Sequence, residues 1–210
     1  MYQMSYLTQA KSKKIAARIR NIEPKFSEVI KVSGPCPIGI KKPKRSNFES
    51  LAGSILSQQL STKAAATIIG RVSELSGGKL NPAAISQLSE SKLRSAGCSG
   101  AKTRAIRELA IAAESKSIPI NSLHRKSDEE IFKLLLPLFG VGQWTVEMFL
   151  IFQLGRLDIW PVGDLGVRRG WEKIHRLRVE IEPNRLKALG EKFSPYRTHL
   201  AWYCWRALDL

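Results

Sequence analysis

The sequence has few of the residues that form metal centres and disulfide frameworks. Its 210 residues include three cysteines, Cys36, Cys98 and Cys204, and no two of them are close together. This pattern excludes a four-cysteine iron–sulfur cluster and a zinc ribbon, and it argues against a disulfide framework. The three histidines show no metal-ligand spacing, so we expect each to be an ordinary surface or core residue. We predict that no cofactor is required.

Long apolar runs are also missing. No stretch approaches the roughly 20 apolar residues that a membrane-spanning helix needs. The N-terminal sequence MYQMSYLTQAKSKK lacks the apolar segment of a secretory signal. We therefore expect no association with membranes and a reduced compartment. That compartment is the cytoplasm, including the nucleoid, in a bacterium, or the nucleus in a eukaryote.

Alternation of apolar and polar residues with period two is absent over any useful length, so no strand is predicted. Helical spacing, capping patterns and Gly or Pro stops instead predict an all-α chain of about ten helices with short connections. Helices whose start and end are both predicted cover residues 5–20, 25–32, 62–76, 89–97, 101–116, 183–193 and 196–208. Two more begin at the capping-box patterns Ser46–Glu49 and Ser127–Glu130.

The chain is long enough for one large domain or two small lobes with a real core. We interpret residues 1–210 as a single domain, with one lobe at about residues 46–126. The second lobe is predicted to contain residues 127–210 together with the N-terminal helices in residues 1–45.

Acidic residues are scarce relative to basic ones. The 34 lysines and arginines against 18 aspartates and glutamates give a formal net charge of +16. This excess produces a field that attracts polyanions, and nucleic acid is the partner that we favour. A basic protein without such a partner and a membrane-surface binder are the alternatives on charge alone.

The stretch Leu134–Phe152, LLLPLFGVGQWTVEMFLIF, predicts two helices joined by a tight turn. Pro137 breaks the first helix, and Gly140 and Gly142 allow a sharp turn because they carry no Cβ. The bare amides of the turn would then lie at the start of the second helix, where the helix dipole favours an anion. On so basic a chain we expect a nucleic-acid phosphate. The alternative is an ordinary corner between two helices.

Asp164 is the carboxylate best placed for chemistry. It is one of four aspartates, and it stands in the segment Trp160–Arg169, WPVGDLGVRR, before a basic helix. An aspartate at such a position is most often a helix N-cap. An N-cap role is compatible with catalysis, because a helix N-terminus favours an anion. The nearest rival carboxylate, Asp158, is interpreted as a turn residue.

Five tryptophans are many for a chain of this length. Aromatic faces stack on bases, but core packing is the alternative and is expected for at least two of the five. Trp144 follows the glycine turn and is the best pocket candidate. In the segment SQQLS, either Gln58 or Gln59 reaches into a groove, or the two form a polar helix end.

Together these segments resemble the helix-hairpin-helix (HhH-GPD) DNA glycosylase superfamily. The hairpin GVGQWTVEMFLIF, the segment PVGDLGVRRG, the upstream SQQLS and the terminal YRTHLAWYCWRA are similar to its alkylpurine branch, the 3-methyladenine DNA glycosylase II type, over about residues 30–208. The resemblance implies a two-lobed all-α fold and a monomeric base excision repair enzyme that flips damaged bases out of double-stranded DNA. The N-terminal β-domain of the bacterial inducible enzyme is expected to be absent, since only about 45 residues precede the helical core.

The resemblance also implies roles for individual residues. Asp164 would be the catalytic carboxylate. The DNA phosphate would be bound at the hairpin by Gly140, Gly142 and Thr145. A structural Na⁺ or K⁺ ion bridging to that phosphate would be held by the backbone carbonyls of Leu136, Leu138 and Val141. The pocket for the flipped base would be lined by Trp144, Met148, Trp205 and Gln58.

In relatives, the loop that matches Gly97–Gly100 delivers a wedge side chain into the gap left by the flipped nucleotide. Here this loop offers only Cys98 and Ser99, which are small. We therefore expect either a weak wedge or a wedge supplied by another loop.

Relatives that also cut the DNA backbone use a Schiff-base lysine two residues after the second hairpin glycine, where this chain has Trp144. The resemblance therefore implies a monofunctional enzyme that hydrolyses the N-glycosidic bond of alkylated purines, such as 3-methyladenine and 7-methylguanine, and leaves an abasic site. The alternatives are a glycosylase for oxidised or deaminated bases, a non-catalytic helix-hairpin-helix DNA-binding protein, and an RNA-binding protein.

Overall fold

The structure, a computed structural model, describes residues 6–210, and within this range it is all-α without any strand, as predicted. Ser5, the first residue of a predicted helix, lies outside the described residues. The α-helices of the described part are α1 (Gln9–Ile22), α2 (Ser27–Ser33), α3 (Asn47–Ser57), α4 (Thr62–Leu75), α5 (Pro82–Gln87), α6 (Glu90–Ser95), α7 (Gly100–Glu114), α8 (Asp128–Leu135), α9 (Gln143–Met148), α10 (Leu165–His175), α11 (Pro183–Gly190) and α12 (Arg197–Ala207). Short 3₁₀ turns cover Pro24–Phe26, Ile120–Arg125 and Glu191–Phe193, and a π turn covers Phe149–Gln153. Among the described residues, no helix has the length and apolar composition needed to cross a bilayer.

Side-chain caps explain where several helices begin. The two capping boxes at the starts of α3 and α8 are both present, as their sequence patterns predicted. α1 begins later than residue 5, at Gln9, because Thr8 is its N-cap and accepts a hydrogen bond from the Lys11 amide.

The chain divides into two compact lobes. The first lobe contains Pro43–Phe149, and the second contains residues 6–42 together with Leu150–Leu210. The predicted boundary near residue 126 is therefore too early in the chain. The reason is that α8 packs on α9 and α9 packs on α3, which places the whole hairpin in the first lobe.

α3 forms the centre of the first lobe. Its apolar residues recur at helical spacing, and Leu51, Ile55 and Leu56 are fully buried. α4 and α7 pack against it, and Ile106 and Leu109 of α7 are also fully buried. Because each such side chain stabilises the fold by about 1.5–3 kcal/mol, these helices form a stable base for the hairpin.

The second lobe is built around the contact between α10 and α12. Gly170 of α10 lies directly against the backbone of α12, since a Cβ at this position would be 1.9 Å from the Cys204 carbonyl oxygen. The tryptophans Trp160 and Trp171 are buried in the surrounding core. The expectation that at least two tryptophans pack in the core is confirmed.

We predict that Gly170→Ala destabilises the protein by about 3 kcal/mol or more, because the added methyl group forces two helix backbones apart. For a chain of this size, thermal unfolding should then show a Tm lowered by about 6–12 °C. Gly70→Ala in α4 is the matched control, since a Cβ there meets no described atom within 4 Å. Equal Tm values for the two variants would contradict the account of the α10–α12 contact.

His199 is a fully buried histidine in α12. Neither ring nitrogen makes a hydrogen bond of good geometry to any part of residues 6–210. Burial lowers the pKa of His199 from 6.5 to about 4, and a contact with the Ile38 backbone partly opposes this shift. The folded protein therefore holds this ring neutral, as expected for a core histidine without ligands.

We predict that the free energy of unfolding decreases as the pH is lowered from about 6.5 to about 4, because the unfolded chain then binds a proton that the folded chain does not. The loss attributable to His199 is about 3 kcal/mol, and it is complete below the folded pKa. Urea unfolding of wild type and His199→Leu at several pH values measures it. An unchanged pH dependence in the variant would exclude His199 as the cause.

Candidate active site

The predicted hairpin is present between α8 and α9. Gly140 adopts a φ of +77°, and a Cβ there would lie 2.8 Å from the Cβ of Ala105, so both the conformation and the space require glycine. Gly142 is the N-cap residue of α9, and no described side chain caps this helix. Both glycines are exposed. The turn therefore presents backbone at a helix N-terminus, the arrangement that binds anions.

Two side chains from other helices of the first lobe hold this turn in place. The Gln58 amide, at the end of α3, donates to the Gly140 carbonyl at 2.9 Å. The Phe139 amide donates to Oε2 of Glu108 in α7 at 3.1 Å. Arg104 bonds the other Glu108 oxygen at 2.8 Å and lies 4.0 Å from the centre of the Phe139 ring. Gln58 therefore supports the hairpin, and its assignment to a base pocket stays a prediction.

Glu108 is a hairpin-supporting residue that was not predicted from the sequence. The available signal was its spacing of four residues from Arg104 on one helix, which predicts an ion pair but gives no information about Phe139. The hydrogen bond from Arg104 is the main cause of a lowered pKa of Glu108; burial opposes it, and the hydrogen bond from the Phe139 amide lowers this pKa further.

We predict that Glu108→Ala increases the hydrogen-exchange rate of the Phe139 amide about fivefold, since a hydrogen bond of this kind contributes about 1 kcal/mol. Glu108→Gln keeps an oxygen acceptor and should retain most of the protection. Glu114→Ala, at the end of the same helix, is the control. Exchange that is the same in all three variants would show that Glu108 does not restrain the turn.

Asp164 lies at the start of α10 in the second lobe. It is the N-cap residue, as predicted, and its Oδ1 accepts a hydrogen bond from the Val167 amide at 2.8 Å. The residue is half-buried, and the preceding Gly163 is exposed. The carboxylate therefore stands at a helix N-terminus near the surface of its lobe, where the helix dipole favours negative charge.

A second donor reaches the same oxygen. Nε1 of Trp205, in the last turn of α12, lies 2.8 Å from Oδ1 of Asp164. The Trp205 ring stacks on Phe152, with ring centroids 5.6 Å apart and planes 27° from parallel. The structure thus brings together two residues that the resemblance assigned to the site. It adds Phe152, an exposed aromatic residue that sequence reasoning treated only as part of the hairpin segment.

α9 carries the remaining predicted residues of the hairpin. Trp144, near its start, is 48% exposed, and Met148, one turn further, is half-buried. Both positions are accessible, and their assignment to a base pocket stays a prediction. Thr145 is only 3% exposed. Its predicted contact with a DNA phosphate is wrong, because this position faces the interior of the first lobe.

The predicted wedge loop also needs correction. Cys98 is buried, with 3% of its surface exposed, and its carbonyl accepts a hydrogen bond from Arg94. Burial raises the pKa of the Cys98 thiol. Ser99 is exposed, but its hydroxyl is the N-cap of α7 and accepts from the Lys102 amide. Cys98 therefore cannot serve as a wedge, and Ser99 offers only a short side chain.

Asp158, the rival carboxylate, has a structural role. Its two oxygens accept from the Arg197 guanidinium at 2.7 and 2.8 Å, and Ser194 donates to it at 2.9 Å. Burial acts to raise the pKa of Asp158, but the hydrogen bonds from Arg197 and Ser194 outweigh it and lower that pKa. The interpretation of Asp158 as a residue of a turn between elements is consistent with these contacts.

A glycine turn between two helices and an N-cap aspartate on a later helix, within one all-α chain, define a helix-hairpin-helix protein of the DNA glycosylase type. Comparison with known families supports this class. Residues 52–195 match the HhH-GPD superfamily of base excision DNA repair proteins. The chain belongs to this superfamily.

Proteins similar to this chain over most of its length include named 3-methyladenine DNA glycosylases. DNA-3-methyladenine glycosylase 1 of Schizosaccharomyces pombe is 32% identical over 201 residues, which cover 94% of this chain and 88% of that protein. The structure of S. pombe 3-methyladenine DNA glycosylase (Mag1) in complex with abasic DNA has a TM-score of 0.83 at 31% identity, covering 94% of this chain and 97% of that one. The structure of a DNA-3-methyladenine glycosidase from Bacillus halodurans has a TM-score of 0.80 at 33% identity. The match covers 96% of this chain and 89% of that one.

Proposed function

We propose that this protein is a monofunctional DNA glycosylase that excises alkylated purines from double-stranded DNA and leaves an abasic site. The observation that carries the proposal is Asp164, a carboxylate at a helix N-terminus that is held by two donors and is partly accessible. The names of the similar proteins support the choice of 3-methyladenine and related bases as substrates.

The chemistry requires little more than a well-placed negative charge. Alkylation at N3 or N7 makes a purine cationic, so the base leaves readily and the sugar develops oxocarbenium character. Asp164 would stabilise that positive charge and orient the attacking water, and a carboxylate is most effective when it is held in place before reaction. The two hydrogen bonds to Oδ1 provide such a restraint.

The hairpin would bind the DNA backbone. Gly140 and Gly142 expose their backbone at the start of α9, and the chain carries a formal charge of +16. A Na⁺ or K⁺ ion at the carbonyls of Leu136, Leu138 and Val141 would add positive charge there. The donor chemistry fits, since the Leu138 carbonyl accepts the Val141 amide at 3.1 Å and retains a second lone pair for an ion.

The proposal of a monofunctional reaction depends on position 144. A lyase step needs an amine that forms a Schiff base with the sugar. In relatives with that activity the lysine stands two residues after the second hairpin glycine, and this chain has the exposed Trp144 there. We propose that the exposed indole contributes an aromatic surface for a base instead.

Asp164→Asn tests the proposal. Asparagine is an equally good N-cap, so α10 should form normally while the negative charge is lost. We expect release of 3-methyladenine and 7-methylguanine from methylated DNA to fall about 100-fold or more, with binding of abasic DNA largely retained. Asp209→Asn, an exposed aspartate at the end of the chain, is the matched control.

Four results would contradict the proposal. Near-normal base release by Asp164→Asn would exclude this carboxylate from the reaction. A borohydride-trapped covalent adduct between the wild-type protein and abasic DNA would show a lyase step. Release of only oxidised or deaminated bases from a panel of duplexes would favour that other specificity, and no release at all would favour a DNA-binding role.

A further inference from the structure

The indole of Trp205 does more than present an aromatic surface. Its N–H donates to Oδ1 of Asp164 at 2.8 Å, and the Val167 amide donates to the same oxygen at 2.8 Å. One donor belongs to the first turn of the helix that Asp164 caps, and the other comes from α12. Two bonds from different elements restrict the side-chain torsions of Asp164 more than an N-cap bond alone.

Gly166 makes this bond possible. A Cβ at position 166 would lie 2.8 Å from Cδ1 and 3.1 Å from Nε1 of Trp205, and 3.1 Å from Oδ1 of Asp164. The indole therefore occupies the space that a side chain would take. Gly170, four residues further on the same face of α10, allows the same close approach of the α12 backbone. The two glycines form a seam along which α12 brings its indole to the carboxylate.

Phe152 supports the indole in this orientation. The two rings are stacked at 5.6 Å with an interplanar angle of 27°. Stacking of this kind limits rotation of the Trp205 ring about its side-chain torsions. Since the N–H group of an indole is its only donor, a bond to Asp164 leaves none for reading the edge of a base.

We infer that Trp205 is a positioning residue for Asp164, and that Gly166 is required because it admits the indole. This inference rests on the proposed function for its catalytic meaning. It differs from a role in lining a base pocket, which would require the aromatic ring but not its N–H. A hydrogen bond to a carboxylate is stronger than one between two neutral groups. Loss of the indole N–H should therefore affect the reaction as well as the packing.

The hydrogen bond itself can be tested without any measurement of activity. In protein labelled with ¹⁵N-tryptophan, five indole N–H resonances are expected, one for each tryptophan. Trp205→Phe assigns the resonance of interest. Asp164→Ala and Gly166→Ala should both shift this resonance and accelerate its exchange with solvent. Gly163→Ala is the matched control, because a Cβ there meets no described atom within 4 Å. An indole resonance unaffected by Asp164→Ala would overturn the inference.

The catalytic consequence is tested with an analogue that changes one atom. Benzothienylalanine at position 205 keeps the shape and stacking of the indole but replaces the N–H with sulfur. We expect a fall of about tenfold or more in kcat for release of 3-methyladenine, with KM and the affinity for abasic DNA changed less than twofold. 5-Fluorotryptophan, which retains the N–H, should restore the rate.

The outcomes separate the two claims. Wild-type kcat with benzothienylalanine would overturn the positioning role even if Asp164 is essential. Loss of DNA binding together with kcat would indicate a role in packing or in the pocket and would also count against positioning. If the wild-type protein releases no base, the proposed function fails, while the resonance experiment still decides whether Trp205 holds Asp164.

Discussion

The close contact between α10 and α12 is the interaction on which the position of the Asp164 carboxylate in the second lobe depends. Gly170 leaves no room for a side chain against the Cys204 carbonyl, and Gly166 leaves none against the Trp205 indole. Because both residues lack a Cβ, the two helices approach closely enough for an indole to hydrogen-bond a carboxylate on the other helix. Larger residues would separate the helices, and Asp164 would then lose its bond to the Trp205 indole.

In the hairpin of the first lobe, too, a glycine without a side chain allows a close contact. Its turn depends on Gly140, whose positive φ and contact with Ala105 exclude a side chain. Gln58 and Glu108 then hold the turn through the Gly140 carbonyl and the Phe139 amide. In each lobe, a glycine permits close packing, and a side chain from a distant helix donates to or accepts from the group that the proposed function uses.

Two predictions from the sequence were wrong for one physical reason. Thr145 and Cys98 stand in segments that the resemblance associates with DNA, yet both side chains are buried. A motif identifies the segment that approaches a ligand, but the direction of each side chain depends on the helix phase and on the neighbours that pack around it.

The sequence alone determined the helices, their capping boxes, the glycine turn of the hairpin and the N-cap position of Asp164. These features depend on residues within a few positions of one another, so local spacing is sufficient to predict them. Only the tertiary structure decided which side chains meet: Trp205 with Asp164, Gln58 with Gly140, and Glu108 with Phe139. Each of these pairs joins residues far apart in the chain, and their contact depends on how closely whole helices pack, which no local pattern encodes.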